Sequence, residues 1–226
     1  MASDYDRSKL VERAERARKA RRTGTAIALY RQVLAVDRDL PEIHAKLAPL
    51  LARKRQHFDA LQSFRMAAEG FMRAAQHDRA LAVCHDATHH LPRNPEVWQT
   101  LARMQRARGK NDEALRTLLE GRARLRRRSE RPQAIHLLRA AHEMDAWNPA
   151  VVLDLARLLG RSRQRQEALL LLEGLTSRAA GRARLRARGL LLRLQPRPSH
   201  LWRWLRELHR GGGRSARAGR RPLATS

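Results

Sequence analysis

The residues with the most evident chemical potential are Cys84, His85, His89 and His90, a thiol and three imidazoles close together in the chain. On a helix His85 and His89 stand one turn apart on one face, a spacing that lets two imidazoles approach one metal ion. Cys84 falls where helical spacing calls for a large apolar residue, as at Phe64 and Leu118. Its thiol is therefore expected to point inward while the two His point away, which leaves the cluster short of a ligand set. His142-Glu143-Met144-Asp145-Ala146 opens like the helical His-Glu-x-x-His zinc pattern but ends on Ala, so the second ligand is missing. Gly211, Gly212 and Gly213 precede Arg214-Ser215, without the Lys or the preceding strand of a phosphate-binding loop. Cys84 is the sole cysteine, which rules out an intrachain disulfide and a four-cysteine zinc site. No catalytic, cofactor-binding or metal-binding set emerges. A protein that is not an enzyme and needs no cofactor is expected.

The remaining chemistry is electrostatic. Lys and Arg number 48 against 22 acids, for a net charge of +26, and only Lys9, Lys19, Lys46, Lys54 and Lys110 are lysines. Residues 121–226 hold 25 arginines and 7 acids, so most of the excess lies in the second half. Planar guanidinium groups suit carboxylates and phosphates, which brings nucleic acid and acidic proteins forward as partners. Base stacking needs free aromatic faces. Tyr30, Phe64, Phe71, Trp98 and Trp202 all fall on expected core stripes, leaving Trp147 and Trp204 outside them. Nucleic acid is accordingly the secondary expectation and protein the first.

The elements that carry these groups are helices. Phe58, Leu61, Phe64, Ala67, Ala68 and Phe71 recur at helical spacing, as do Leu115, Leu118 and Leu119, and Ala168, Leu169, Leu172 and Leu175. Asn94-Pro95 and Asn148-Pro149 are helix-start signals, because Asn caps free amides and Pro is tolerated in a first turn. A long period overlies the short one. Asp59-Ala60-Leu61, Glu113-Ala114-Leu115 and Glu167-Ala168-Leu169 lie 54 residues apart, and so do Pro41, Pro95 and Pro149 and the alanines 26, 80 and 134. The key alanines alternate in steps of 34 and 20 residues, as if one long helix closed one pair and opened the next.

The 34-residue step resembles the tetratricopeptide repeat. Trp98, Leu101, Ala102, Gly109, Ala114 and Leu118 match its pattern best, flanked by Pro92 and Pro95. Leu47, Ala48, Ala60, Phe64 and Ala67 form a second copy, and Leu155, Ala156, Ala168, Leu172 and Leu175 a third. His44 and Val152 replace the family's Trp, and Arg55 and Arg163 its turn Gly. The resemblance implies an all-α, right-handed α-solenoid of antiparallel helix pairs over residues 8–210, with a 54-residue three-helix super-repeat. A capping helix near 198–210 would place Trp202, Leu205 and Leu208 inward. Residues 1–7 read as a flexible N-terminus and residues 211–226 as a disordered Arg/Gly-rich tail.

In that family the concave surface comes from first-helix residues that do not face the core. The resemblance therefore points to Glu96, Gln99, Arg103 and Arg106, and then to Leu153, Arg157, Gly160 and Arg161. The Lys and Asn of the family's carboxylate clamp are absent, since Gln99, Thr100 and Arg103, or Leu153, Asp154 and Arg157, occupy those places. The resemblance implies an interaction scaffold with a groove at Glu96, Gln99, Arg103, Arg106, Arg157 and Arg161, and the arginines among them make an acidic peptide or protein surface the expected partner. The longest apolar run is far short of a membrane span, and the first residues lack the apolar core of a signal peptide. A cytoplasmic protein is expected.

Overall fold

The computed structural model describes residues 2–196 and 198–215. Regular structure among the described residues is helical throughout, with twelve α-helices and one short 3-10 turn. Two compact units divide the chain, Met1–Arg124 and Leu125–Ser226.

The first unit comprises α1 (Ala2–Lys19), α2 (Thr23–Val36), α3 (Pro41–Arg53), α4 (His57–Arg73), α5 (His77–His90), α6 (Pro95–Ala107) and α7 (Asn111–Arg124). Short turns join them, so consecutive helices run antiparallel and pack as neighbours. The longer α4 rests on α3 and also on α5, serving two neighbours at once. The second unit opens with the 3-10 turn Arg128–Glu130 and continues through α8 (Arg131–Met144), α9 (Pro149–Arg161), α10 (Arg165–Arg178), α11 (Gly181–Leu194) and α12 (Pro198–Ser215). Each unit is a stack of antiparallel helix pairs.

Local signals explain the helix starts. Pro41, Pro95 and Pro149 occupy first turns, where no intrahelical amide is lost. Asn94 Oδ1 accepts from the Glu96 amide at 2.9 Å, and Asn148 Oδ1 from the Ala150 amide at 3.1 Å. Several turns need a left-handed residue, and Gly109 supplies one at φ 75°. Arg55 and Arg163 adopt the same conformation at φ 62° despite carrying side chains. The substituted turns thus keep their shape at some conformational cost.

Small residues set the helix separations. Ala26, Ala60, Ala80, Ala114, Ala134 and Ala168 are all 0 or 1% exposed. At such crossings backbones approach closely and any added methyl group would collide. Gly121 shows the same constraint, since a Cβ there would run into the Trp98 ring. Around these points Tyr30, Leu51, Phe64, Phe71, Trp98 and Leu118 fill the first core, and Leu137, Leu138, Leu155, Leu159, Leu172 and Leu175 the second.

The structure departs from sequence expectation in several places. α1 begins at Ala2, inside the segment read as flexible. At the other end α12 continues to Ser215, five residues past the expected cap. The rest of the expected disordered tail, 216–226, lies outside the described residues. Phe58 is 73% exposed in the first turn of α4, before that helix meets its neighbours. The long bridging helix expected from the 34- and 20-residue steps is not seen after α7, which stops at Arg124; Leu125 is buried beyond its end, and Pro132 lies in the first turn of the next helix.

Candidate interaction surface

The site begins with α6, whose buried stripe Val97, Trp98, Leu101 and Ala102 fixes its orientation. Trp98 anchors it further by donating from Nε1 to the Pro92 carbonyl at 3.0 Å. With that stripe inward, Glu96, Thr100 and Arg103 share an adjoining face at spacings of four and three residues. All three line a cleft of about 320 Å³, together with Leu61, Phe64, Arg65, Ala68, Glu69, Cys84, Ala87 and Val97. Its floor is apolar and its rim carries two carboxylates and two guanidinium groups. Arg65 and Glu69 satisfy each other at 3.1 Å, so Glu96 and Arg103 remain as the rim charges on α6.

Arg103 borders a second cleft as well. This one, of about 490 Å³, is lined by Met72, His77, Thr100, Arg103, Met104, Ala107 and Arg108. Arg103 Nη2 donates to Thr100 Oγ1 at 3.3 Å, and among the described residues it has no carboxylate partner. Arg108 is already engaged with Asp78 at 2.7 Å. Arg103 is therefore the exposed cation that stands on the wall common to both clefts.

Cys84 explains why the first cleft exists. It holds a position where its counterparts are Phe64 and Leu118, and its smaller side chain leaves the space between α4, α5 and α6 partly empty. Its Sγ lies 3.2 Å from Met104 Sδ. Burial pushes the thiol up to about 11, against the opposing influence of the Arg103 charge, so at neutral pH it is protonated and a poor nucleophile or metal ligand. The two histidines turn to a different cleft, of about 560 Å³, with Trp98, Gln105, Glu113, Arg116 and Glu120. Their rings meet edge to face, 4.8 Å between centroids. Among the described residues no group of three or more His, Cys, Asp or Glu could hold a metal ion.

The six residues singled out from the sequence separate by unit and by face. Glu96 and Arg103 meet on the first cleft. Gln99 and Arg106 lie one step further round α6, half-buried and exposed respectively. Arg157 and Arg161 are exposed on α9 in the second unit, where Arg157 pairs with Asp154 at 3.4 Å and the Arg161 carbonyl accepts from Arg131 Nη1 at 2.7 Å. Leu153 and Gly160 do not join a surface. Leu153 is buried, and a Cβ on Gly160 would lie 2.5 Å from Leu194 Cδ2, so α11 covers that side of α9. The sequence reading missed Arg65, Glu69, Met72 and Met104; for Arg65 and Glu69, which share a cleft with Cys84, the available signal is a Cys in a place made for Phe or Leu.

The tryptophans also change roles. Trp202 is 64% exposed, whereas Trp204 is half-buried with its Nε1 3.4 Å from where a Gly189 Cβ would stand. The bare backbone of Gly189 offers a seat to the flat indole, and this turns α12 so that Trp202 faces out. Trp147 is partly exposed, but Arg178 lies over its ring at 3.7 Å from the centroid, so one face is already occupied. No helix among the described residues is long and apolar enough to cross a membrane.

A family model described as tetratricopeptide repeat matches residues 71–131 and 125–191. Among solved structures, the MamA protein aligns over 96% of this chain and 98% of its own, at 12% identity and a TM-score of 0.34. A tetratricopeptide repeat protein from Parabacteroides merdae aligns over 92% of each chain at 9% identity and a TM-score of 0.33. For Pseudomonas aeruginosa pilF the coverage is 97% and 94%, at 15% identity and a TM-score of 0.29. No curated protein matches the sequence.

Proposed function

Because the chain belongs to the tetratricopeptide repeat family, we propose that it is a non-catalytic interaction scaffold that holds an acidic protein segment along α6. The observation that carries this reading is the placing of Arg103, an exposed cation on the wall between two clefts, one of which has an apolar floor of Leu61, Phe64, Cys84 and Val97. An extended segment with an apolar side chain can enter the first cleft while its carboxylate meets Arg103, with the guanidinium fork setting the geometry. Glu96 lies nearer the start of α6 and Arg103 and Arg106 nearer its end, so the rim is polarised along the helix axis. A bound segment then has a preferred direction, its acidic end toward Arg106. Arg157 and Arg161 present cations on the second unit and supply a further contact for an acidic surface there. The exposed methionine Met72 gives the second cleft an adaptable wall.

Synthetic peptides with one bulky apolar residue followed by glutamates are suited to the test, measured by fluorescence anisotropy against scrambled and lysine-substituted versions. Arg103→Glu should weaken the acidic peptide by roughly tenfold with unchanged helicity, and Arg157→Glu should weaken a larger acidic partner. Equal affinity of Arg103→Glu and the parent protein would sink the assignment to α6. Retention of nucleic acid alone, lost on nuclease treatment with no peptide bound, would replace the scaffold reading by its nucleic-acid alternative.

A further inference from the structure

α12 leaves its apolar side largely uncovered. Leu201 and Leu205 are one turn apart and Trp202 adjoins them, so the three form one strip; their exposures are 44%, 42% and 64%. The helix is held to α11 along other edges, by Trp204 over Gly189 and by Arg188 Nη1 donating to the Arg203 carbonyl at 2.9 Å. Apolar and polar residues are more sharply segregated here than in any other helix of the chain. Arg203 and Arg206 lie outside the apolar strip, and the Arg206 guanidinium sits 5.5 Å from the Trp202 ring centroid. Between residues 198 and 226 the sequence carries seven arginines and one acid, Glu207.

We propose that the exposed strip of α12 docks on an anionic lipid surface, lying in the plane of the interface with Trp202, Leu201 and Leu205 among the upper acyl chains. Arginines flanking such a strip reach the phosphates while their stems stay in the boundary layer. Tryptophan suits that depth because its ring is apolar and its N–H remains near water. Charge selects this occupant over a second copy, since two chains at +26 each would bring cationic flanks together. Shape selects it over a peptide. The strip is a single-helix ridge, and a cleft bordered by α12, about 280 Å³ lined by Glu173, Thr176, Arg188, Leu191, His200 and Arg203, includes none of its three residues. The inference does not depend on the α6 clefts.

A chain of this charge adheres to anionic vesicles to some extent through counterion release alone, so the apolar strip must be tested at constant charge. The full chain and the double variant Trp202→Ser, Leu205→Ser would be sedimented with vesicles of phosphatidylcholine alone and with phosphatidylcholine mixed with phosphatidylglycerol. Trp202 is 64% and Leu205 42% exposed, and circular dichroism checks that helicity is kept. The parent should bind the mixed vesicles, retain binding as salt is raised, and show quenching by brominated acyl chains that Trp202→Phe reduces. The double variant should bind roughly tenfold or more weakly, the gap widening with salt. Equal binding by both forms would mean adhesion by charge alone and overturn the proposal, as would failure of the parent to bind mixed vesicles. A concentration-dependent dimer that the double variant abolishes would assign the strip to a second copy and overturn it too.

Discussion

At the scale of single residues, the most strongly determined group is Glu15, which joins three helices of the first unit. Its carboxylate accepts from the Tyr30 hydroxyl at 2.8 Å and meets Lys46 Nζ at 2.8 Å and Arg18 Nη2 at 2.7 Å. Burial alone would resist ionisation, but the hydrogen bonds from Lys46, Arg18 and Tyr30 outweigh it and hold the carboxyl at about 2, below its ordinary 4.5. Tyr30 is shifted upward, by burial first and then by the Glu15 carboxylate it donates to. A depressed carboxyl stabilises the fold above the unfolded value and loses that contribution as pH falls through the folded one. Stability should therefore decline between about pH 4.5 and 2, by about 1–2 kcal/mol from this residue after solvent screening. Urea titrations of the parent and Glu15→Gln should show the variant less stable at neutral pH and the two converging near the bottom of that window. A constant gap across the window would remove Glu15 from the acid response.

Among elements, the helix pairs and their turns are set by different kinds of evidence. Pairing follows from apolar stripes and small crossing residues, which the sequence displays. The turns after α1, α3, α4, α6 and α9 hold a left-handed residue, a conformation that only glycine adopts without penalty. Arg163 stands exposed in that conformation at φ 62°. Arg163→Gly should raise stability by about 0.5–1 kcal/mol, since the relieved steric cost exceeds the added freedom of the unfolded chain. A shift of the urea midpoint to higher concentration at unchanged slope would register it, and an unchanged midpoint would mean that the turn bears no such strain. Ion pairs between helices recur in a regular way too, with Arg31 on Asp59 in the first unit and Arg139 on Glu167 in the second, each spanning 28 residues. Both pairs are half-exposed, so they orient helices more than they stabilise them.

For the whole molecule, charge is the dominant fact. With 48 basic and 22 acidic side chains, many guanidinium groups cannot have a carboxylate partner within the chain. The folded state therefore carries self-repulsion that salt relieves, while the exposed ion pairs weakened by the same salt contribute little each. Thermal stability should rise by a few degrees as sodium chloride is raised from low concentration to physiological levels and above, as followed by circular dichroism at 222 nm. A fall in Tm over that range would mean that the ion pairs outweigh the repulsion.

Helix content, the family and the buried alanines were legible in the sequence because helical period, proline placement and small-residue spacing are local properties of the chain. Tyr30, Phe64, Phe71 and Trp98 were assigned inward and are buried, since each lies on a stripe whose neighbours are also apolar. The binding surface was legible only in part. Arg103 could be placed on an outward face from spacing, but the cleft beside it depends on Cys84 failing to fill a volume bounded by α4 and α6, which no local pattern records. The same holds for the tryptophans of α12, where periodicity fits either indole inward and Gly189 on another helix decides between them. What the sequence by itself determined was which segments are helices and which stripe of each is apolar. Tertiary structure alone decided the rotation of each helix about its axis and the voids between them, because those depend on the volumes of side chains that meet only after packing.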